Sequence, residues 1–430
     1  MAKWCLFVGF LGIITNSVCV GYEMNIRDQA MFDLIEQEQQ RQNQGINLVA
    51  SENYPSSQVL QVVGSVLTNK YTEGYPGRRY YGGCQYYDKM EQLTIERFKT
   101  LFGADACNVQ PHSGSQANAA VYLALLRPGD TILSMNLAHG GHLSHGHTMN
   151  WTSSIYNIVS YGVDPVTYQI NYDEVEALAL EHKPKMIIAG ASSYSFVIDF
   201  ARFSAIAQKV GALFLADIAH IAGLVAAGVH PSPVPYADIV TLTTQKTFRG
   251  PRGGVILCKK AYEAAINKSI IPGMQGGALM NNVIAKGVAA YEAMQPEFVQ
   301  YAQAVVENTG AMANWFIEHG YRVIGGGTQN HLFVIDVTPT GMNGKEVEQI
   351  LESIGIYLNR NAIPYDQNPP LRPSGIRIGG AAMTTRGMNK EQFIRVAQII
   401  DQAIVNKGDA DILAQLRQDV LEITGNLVRV

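Results

Sequence analysis

Six short apolar runs, at residues 131–137, 155–161, 185–191, 212–217, 239–244 and 254–260, punctuate the middle of this chain. Helical periods fall between them. Residues 115–126 form one predicted helix, stopped by Arg127-Pro128-Gly129-Asp130, and residues 172–182 another. Short apolar runs separated by helices imply a mostly parallel sheet covered on both faces. The expected fold class is therefore α/β, with a large sheet domain over 88–294. Past Met294 a long helix is expected at 298–319, strands at 331–337 and 375–379, and helices at 345–354 and 389–405. That pattern predicts a second, smaller α/β domain over 295–430.

Upstream, residues 24–87 divide into a helix and an arm. The helix, at 28–42, carries Met31, Phe32, Leu34 and Ile35 on its apolar side. The arm, residues 46–88, sets Tyr54, Tyr71, Tyr75, Tyr80, Tyr81, Tyr86 and Tyr87 among glycines and prolines. It reads as an extended segment that packs on something else, such as another subunit. Residues 1–23 are anomalous: Met1-Ala2-Lys3 precedes an apolar run over 4–15, short for a membrane span and similar to the core of a signal peptide. The expectation is a mis-assigned start, with Met24 the true one; the alternative is a targeting segment.

With 16% charged residues and a net charge of −4, the chain has no basic excess to suit nucleic acid. Its five cysteines are odd in number, scattered, and without metal-ligand spacing. A reducing, cytoplasmic location and no membrane span are expected.

The chemistry concentrates at strand ends, where open α/β sheets bind ligands. Val240 to Gly254 runs from an apolar strand into Thr243-Thr244-Gln245-Lys246-Thr247, followed by Arg249 and Arg252 on a glycine–proline turn. Nearby cations lower a lysine's pKa and make its nucleophilic form accessible, as a Schiff-base lysine requires. Alone, Lys246 is better read as part of a basic surface loop; the rest of the chain reverses that. The run at 212–217 ends in Asp217, with His220 three residues on. A carboxylate there suits a protonated ring nitrogen, though an Asp in that place also caps helices. His112-Ser113-Gly114-Ser115 opens a helix, where free N–H groups and the helix dipole favour phosphate. Four of the ten histidines, His139, His142, His145 and His147, share one glycine-rich loop. With no cysteine or carboxylate among them, a metal site is not expected; His142 is the candidate to stack on a flat ligand, the others being structural. Schiff-base lysine, ring-nitrogen partner and phosphate cradle together describe a pyridoxal 5'-phosphate site of fold type I.

At this point the chain resembles the serine hydroxymethyltransferases over nearly its whole length, from about Met24 onward. The matching motifs are Leu48-Val-Ala-Ser-Glu-Asn53, Leu67 to Gly83, the Ser113 and His142 loops, Asp217-Ile-Ala-His220, the Lys246 segment and Gly375-Ile-Arg-Ile-Gly379. The resemblance implies a fold type I enzyme that moves the serine side-chain carbon to tetrahydrofolate and leaves glycine. Lys246 would carry the cofactor, Asp217 hold the ring nitrogen, His220 bond near the ring hydroxyl and His142 stack on the ring. Ser113, Gly114 and Ser115 would bind the phosphate, joined by Tyr71, Gly276 and Gly277 of a second subunit, so the site would need a homodimer, alone or within a tetramer. Ser192 and Gln245 would add cofactor contacts. Arg377 would clamp the substrate carboxylate, a task suited to guanidinium. Ser51 and Tyr81 would position the substrate, and Glu73 would be the acid/base beside the serine hydroxyl. Leu137, Gly141, Leu143 and Asn361 would line the folate site.

Several positions depart from that family's pattern. Gln245 stands where histidine is usual, Gly379-Gly380-Ala381-Ala382 replaces Gly-Thr-Pro-Ala, Ala278-Leu279-Met280-Asn281 replaces Pro-Leu-Met-His, and Ser192-Ser193-Tyr194 replaces Ser-Ala-Tyr. Glutamine cannot titrate near neutrality as histidine does, and the loss of Thr and Pro is expected to loosen the turn beside Arg377. Two alternatives to the usual reaction follow: folate-independent aldol cleavage of β-hydroxy amino acids, or a catalytically impaired scaffold.

Overall fold

The computed structural model describes residues 26–430, so the segment 1–23 and its expected start or targeting role lie outside the described residues. Among the described residues, those up to Arg41 fall in one unit and Gln42–Val430 in another. The helix Gln29–Gln44 starts in the first unit and buries no residue; Met31, Phe32, Leu34 and Ile35, its predicted apolar side, are all exposed.

Seven strands build the main sheet of the second unit: β1 (Ala106–Asn108), β2 (Thr131–Met135), β3 (Asn157–Tyr161), β4 (Met186–Ala189), β5 (Leu213–Asp217), β6 (Ile239–Thr243) and β7 (Gly254–Cys258). Their order is β1-β7-β6-β5-β4-β2-β3. Pairing is parallel from β3 to β6, while β7 runs antiparallel to both β6 and β1.

Side-chain alternation along each strand explains why the runs are apolar throughout. Met186 and Ile188 join one core and Ile187 and Ala189 the other. On one side the cover is α2 (Gly114–Leu125), through Ala117, Ala120, Val121 and Tyr122. On the other side lie α1 (Gln85–Phe102), α3 (Tyr172–His182), α4 (Phe200–Val210) and α5 (Met280–Ala293). With both faces covered, neither parity of residue can be polar.

A second sheet of four strands joins β8 (Arg322–Val323), β9 (Leu332–Asp336), β10 (Asn359–Asn361) and β11 (Gly375–Gly379) in the order β8-β9-β11-β10, all antiparallel. Its core places Phe333, Ile335, Ile376 and Ile378 with Phe316 of α6 (Pro296–Glu318) and Phe393 and Ile400 of α7 (Lys390–Val405). Register sets Arg377 opposite Asn359 and Val334. Gly379 lets the segment before Ser51 approach, since a Cβ there would lie 2.4 Å from the Ala50 Cα.

Two expectations need correction. The arm at 46–88 is not extended throughout: it contains a helix at Ser57–Val63 and a 3₁₀ turn at Val66–Asn69. Ser56 caps that helix through the Val59 N–H at 3.3 Å, and Val59 is fully buried beneath it. The apolar runs also overstated strand length. Residues 136–137 leave the sheet for a 3₁₀ turn at Leu137–His139, capped by Asn136 Oδ1 on the Ala138 N–H at 2.9 Å. Among the described residues no helix is long and apolar enough to cross a membrane.

Candidate active site

The carboxyl ends of β4, β5 and β6 open onto one cavity of about 450 Å³. The sheet brings Asp217, Lys246 and Ser192 to its wall, the start of α2 brings Ser113, Gly114 and Ser115, and β11 brings Arg377. Ser51, His142, His220 and Gln245 complete the predicted residues found there.

The α2 end is built for an anion. Ser113 is the N-cap, its hydroxyl accepting from the Gln116 N–H at 3.2 Å. The first-turn N–H groups of a helix have no intrahelical acceptor and sit at the positive end of its dipole. Gly114 permits the close seat of this turn on β6, because a Cβ would fall 2.4 Å from Thr243 Cγ2. N-capping accounts for Ser113 alone, leaving Ser115 exposed at the cavity wall.

Asp217 closes β5 in a fully committed environment. Its Oδ2 accepts from Asn118 Nδ2 at 2.8 Å and His145 Nε2 at 2.9 Å, and its Oδ1 from the Ala219 N–H at 2.9 Å. Burial on its own would raise this carboxyl; the His145 bond and neighbouring charges outweigh it and hold the group well below the usual carboxylate range. A permanently ionised, oriented carboxylate is what a protonated ring nitrogen needs as a partner.

Lys246 lies in the bend just past β6. Burial pulls its ammonium down to about 8, with Arg377 and Arg252 adding to the effect and Asp217 opposing it. The neutral amine is therefore far more accessible near neutrality than in an ordinary lysine, as a carbonyl-capturing lysine requires. Arg377 is also buried, and burial lowers it to about 10. Its Nη1 donates to the Ser192 carbonyl at 2.5 Å and its Nε to Asn359 Oδ1 at 3.0 Å. Nη2 has no protein acceptor among the described residues and remains available to a substrate carboxylate.

The four loop histidines diverge instead of converging on a metal. His139 Nδ1 accepts from the Val163 N–H, His142 Nδ1 faces the Ser144 hydroxyl at 2.8 Å, His145 reaches Asp217, and His147 Nδ1 accepts from the Met149 N–H. Because the Ser144 N–H also donates to His142 Nδ1, that nitrogen is the unprotonated one. Burial lowers His142 to about 4, so it meets the cavity as a neutral ring. His220 is buried against His331, Nδ1 to Nε2 at 3.2 Å, and burial pushes both far toward neutrality.

The remaining predicted residues assemble elsewhere. Tyr71, Glu73, Tyr81, Gly276 and Gly277 form a separate cluster that does not line the cavity. Tyr71 and Tyr81 meet edge-on at 5.3 Å, and the charge of Glu73 raises the Tyr81 phenol. A Cβ on Gly276 would lie 2.7 Å from Glu73 Oε1, and one on Gly277 would lie 3.2 Å from the Tyr71 ring. Below them the buried Arg79 bonds Glu91 and Asp88 and donates to the carbonyls of Thr72 and Gly74, on either side of Glu73. Leu137, Gly141, Leu143 and Asn361 are also absent from the cavity wall; Leu137 and Leu143 are exposed on short turns.

Two of the positions that depart from the motif are held by local contacts. Gln245 lines the cavity and accepts from the Gly253 N–H at 3.3 Å. The turn after Arg377 is held by Gly380, whose N–H donates to the His331 carbonyl at 2.9 Å and whose Cβ position lies 2.2 Å from the Thr309 hydroxyl. Asn118, His145, Asn359 and His331 escaped the sequence reasoning. For His145 the glycine-rich loop was a signal of a site, but its carboxylate partner lies 72 residues away.

These features fit pyridoxal 5'-phosphate: an anion seat for its phosphate, Asp217 for its ring nitrogen, Lys246 for its aldehyde and a neutral His142 ring for its face. Beside them stands a guanidinium free to take an amino-acid carboxylate. The family model for serine hydroxymethyltransferase matches residues 24–400. Its members are fold type I pyridoxal 5'-phosphate enzymes, in keeping with the mostly parallel sheet and the strand-end site. The chain belongs to the serine hydroxymethyltransferase family and is a pyridoxal 5'-phosphate-dependent enzyme of the glycine/serine hydroxymethyltransferase type.

Proposed function

We propose that this protein transfers the hydroxymethyl group of serine to tetrahydrofolate, yielding glycine and 5,10-methylenetetrahydrofolate, at a site completed by a second copy of the chain. The observation that carries this reading is the gathering of Lys246, Asp217 and the free edge of Arg377 around a single cavity. Bound pyridoxal 5'-phosphate supplies a cationic ring that withdraws electrons from the carbon attached to the substrate's amine. The chain's own residues supply the rest. Asp217, ionised and held by His145 and Asn118, would keep the ring nitrogen protonated. Lys246 would offer the amine that holds the cofactor, and its lowered pKa would let it accept or release a proton near neutrality. Arg377, oriented by Asn359 and the Ser192 carbonyl, presents Nη2 to the substrate carboxylate, with Ser51 nearby on the cavity wall. That grip would hold the substrate carboxylate in one orientation. His220 would serve the ring hydroxyl, and His142 would lie against the ring face.

Glu73, Tyr71, Tyr81, Gly276 and Gly277 act on the cavity of a partner copy in this reading. Glu73 moves the proton at the serine hydroxyl, Tyr81 positions the substrate, and Tyr71 with the two glycines completes the phosphate seat. Leu137, Gly141, Leu143 and Asn361 are assigned to the folate. A second reading, folate-independent aldol cleavage, is favoured by one observation: a non-titrating Gln245 on the cavity wall. Serine turnover with and without tetrahydrofolate separates the two. The proposal expects strong dependence on folate; rapid cleavage of allo-threonine with folate-indifferent serine turnover contradicts it. A protein with no lysine-bound cofactor band, bleachable by borohydride, would point to a scaffold.

A further inference from the structure

Lys286 is a buried cation that the chemistry above does not use. It lies on α5 with 1% of its surface exposed, and no carboxylate bonds it among the described residues. Its Nζ donates to three backbone carbonyls: Val109 at 2.8 Å, Pro111 at 3.0 Å and Gly254 at 2.9 Å. An ammonium has three N–H donors and all three are taken; a neutral amine would leave one carbonyl without its partner. Burial pulls the group toward 7, with Glu91 opposing, while full carbonyl coordination favours the charged form.

The three carbonyls share one location. Val109 and Pro111 lead from β1 into Ser113, the cap of the phosphate seat, and Gly254 begins β7. The Gly254 N–H donates to the Pro111 carbonyl at 3.0 Å, and a Cβ on Gly254 would lie 2.4 Å from the Ser113 carbonyl oxygen. Gly253 is the opening through which the lysine passes, because a Cβ there would lie 2.2 Å from Lys286 Cε. The Gly253-Gly254 pair downstream of Lys246 thus accommodates two neighbours, the lysine stem and the cap.

We propose that Lys286 is a positioning residue for the cofactor phosphate: from behind the seat it locks the backbone that carries Ser113, Gly114 and Ser115 and adds a buried positive charge there. This rests on the reading of the α2 N-terminus as the phosphate seat. The test compares pyridoxal 5'-phosphate with pyridoxal, which lacks the phosphate, as ligands of the full-length protein freed of cofactor and followed by absorbance. In Lys286→Met the affinity for pyridoxal 5'-phosphate is expected to fall about tenfold or more, with that for pyridoxal little changed. Lys286→Gln keeps two donors without the charge, should show the same selective loss, and serves if the methionine variant does not fold. Equal losses for both ligands, or none, overturn the proposal. A wild-type protein that binds the two ligands equally would instead overturn the assignment of the seat itself.

Discussion

The Lys246 cavity and the Glu73 cluster differ in almost every physical respect. In the cavity, buried polar groups from distant strands are tied to one another: Asp217 accepts three bonds, and Arg377 is fixed by Asn359 and a carbonyl. In the cluster, Tyr71 and Tyr81 stay exposed; the Glu73 side chain bonds the Tyr81 phenol, and Arg79 grips the carbonyls of Thr72 and Gly74 on either side of it. The cavity groups an amine, a guanidinium and two carboxylates, of which Asp217 is fully engaged and Glu52 accepts from Asn47 Nδ2 at 2.8 Å. The cluster has a carboxylate and two phenols but nothing for them to act on. On the proposed reading, the cluster of one copy supplies the cavity of another with the proton-handling carboxylate, Glu73.

Substitutions in the two halves should fail differently. Lys246→Ala removes the covalent anchor, and serine turnover should fall by ~10³-fold or more, with loss of the lysine-bound absorbance band. Glu73→Gln should cost about 10²-fold in turnover while leaving that band intact, since it removes a proton-handling group from a site whose cofactor is still bound. A Glu73→Gln protein that loses the band would break the division between the halves.

A smaller effect sharpens the cavity side. Asn359→Ala frees the Nε side of Arg377 without touching the reacting groups, so the KM for serine should rise about tenfold with kcat nearly unchanged. Steady-state kinetics over a range of serine concentrations checks the split; a fall in kcat alone would argue against a positioning role for Asn359.

The smallest effect is on stability. Lys246 has a folded-state pKa of about 8 against an ordinary 10.5. Between these values the unfolded chain binds more protons than the folded one, so this group makes stability rise with pH across that window. Below it, the charged buried lysine is a constant burden. Lys246→Met should therefore raise the Tm of cofactor-free protein most below pH 8, with the gain fading as pH approaches 10.5. Thermal scans at several pH values measure this, and a gain that grows with pH contradicts the assigned environment.

Much of this architecture was legible because its signals are local. The run ending in Asp217 became β5, and the residues predicted for the helix at 172–182 are those of α3. Lys246 and Asp217 announced themselves by sitting where apolar strands stop. What stayed hidden depends on partners remote in sequence. Asn118 looks like any polar residue on α2 until the fold sets it against Asp217, 99 residues on, and Lys286 looks like a surface lysine until Gly253 admits it beneath the seat. β1 has three residues, too few for periodicity to register, and the helix at Ser57–Val63 is masked by surrounding prolines and tyrosines.

The sharing of the site between copies can be tested by co-expressing Lys246→Ala and Glu73→Gln chains carrying different tags and purifying the mixed assembly. A mixed assembly holds one cavity with an intact lysine facing an intact Glu73 cluster. The account predicts that it turns over serine far faster than either variant alone. A mixed assembly no more active than the sum of its two variants would show that each cavity relies on its own chain's Glu73, and would contradict the shared site.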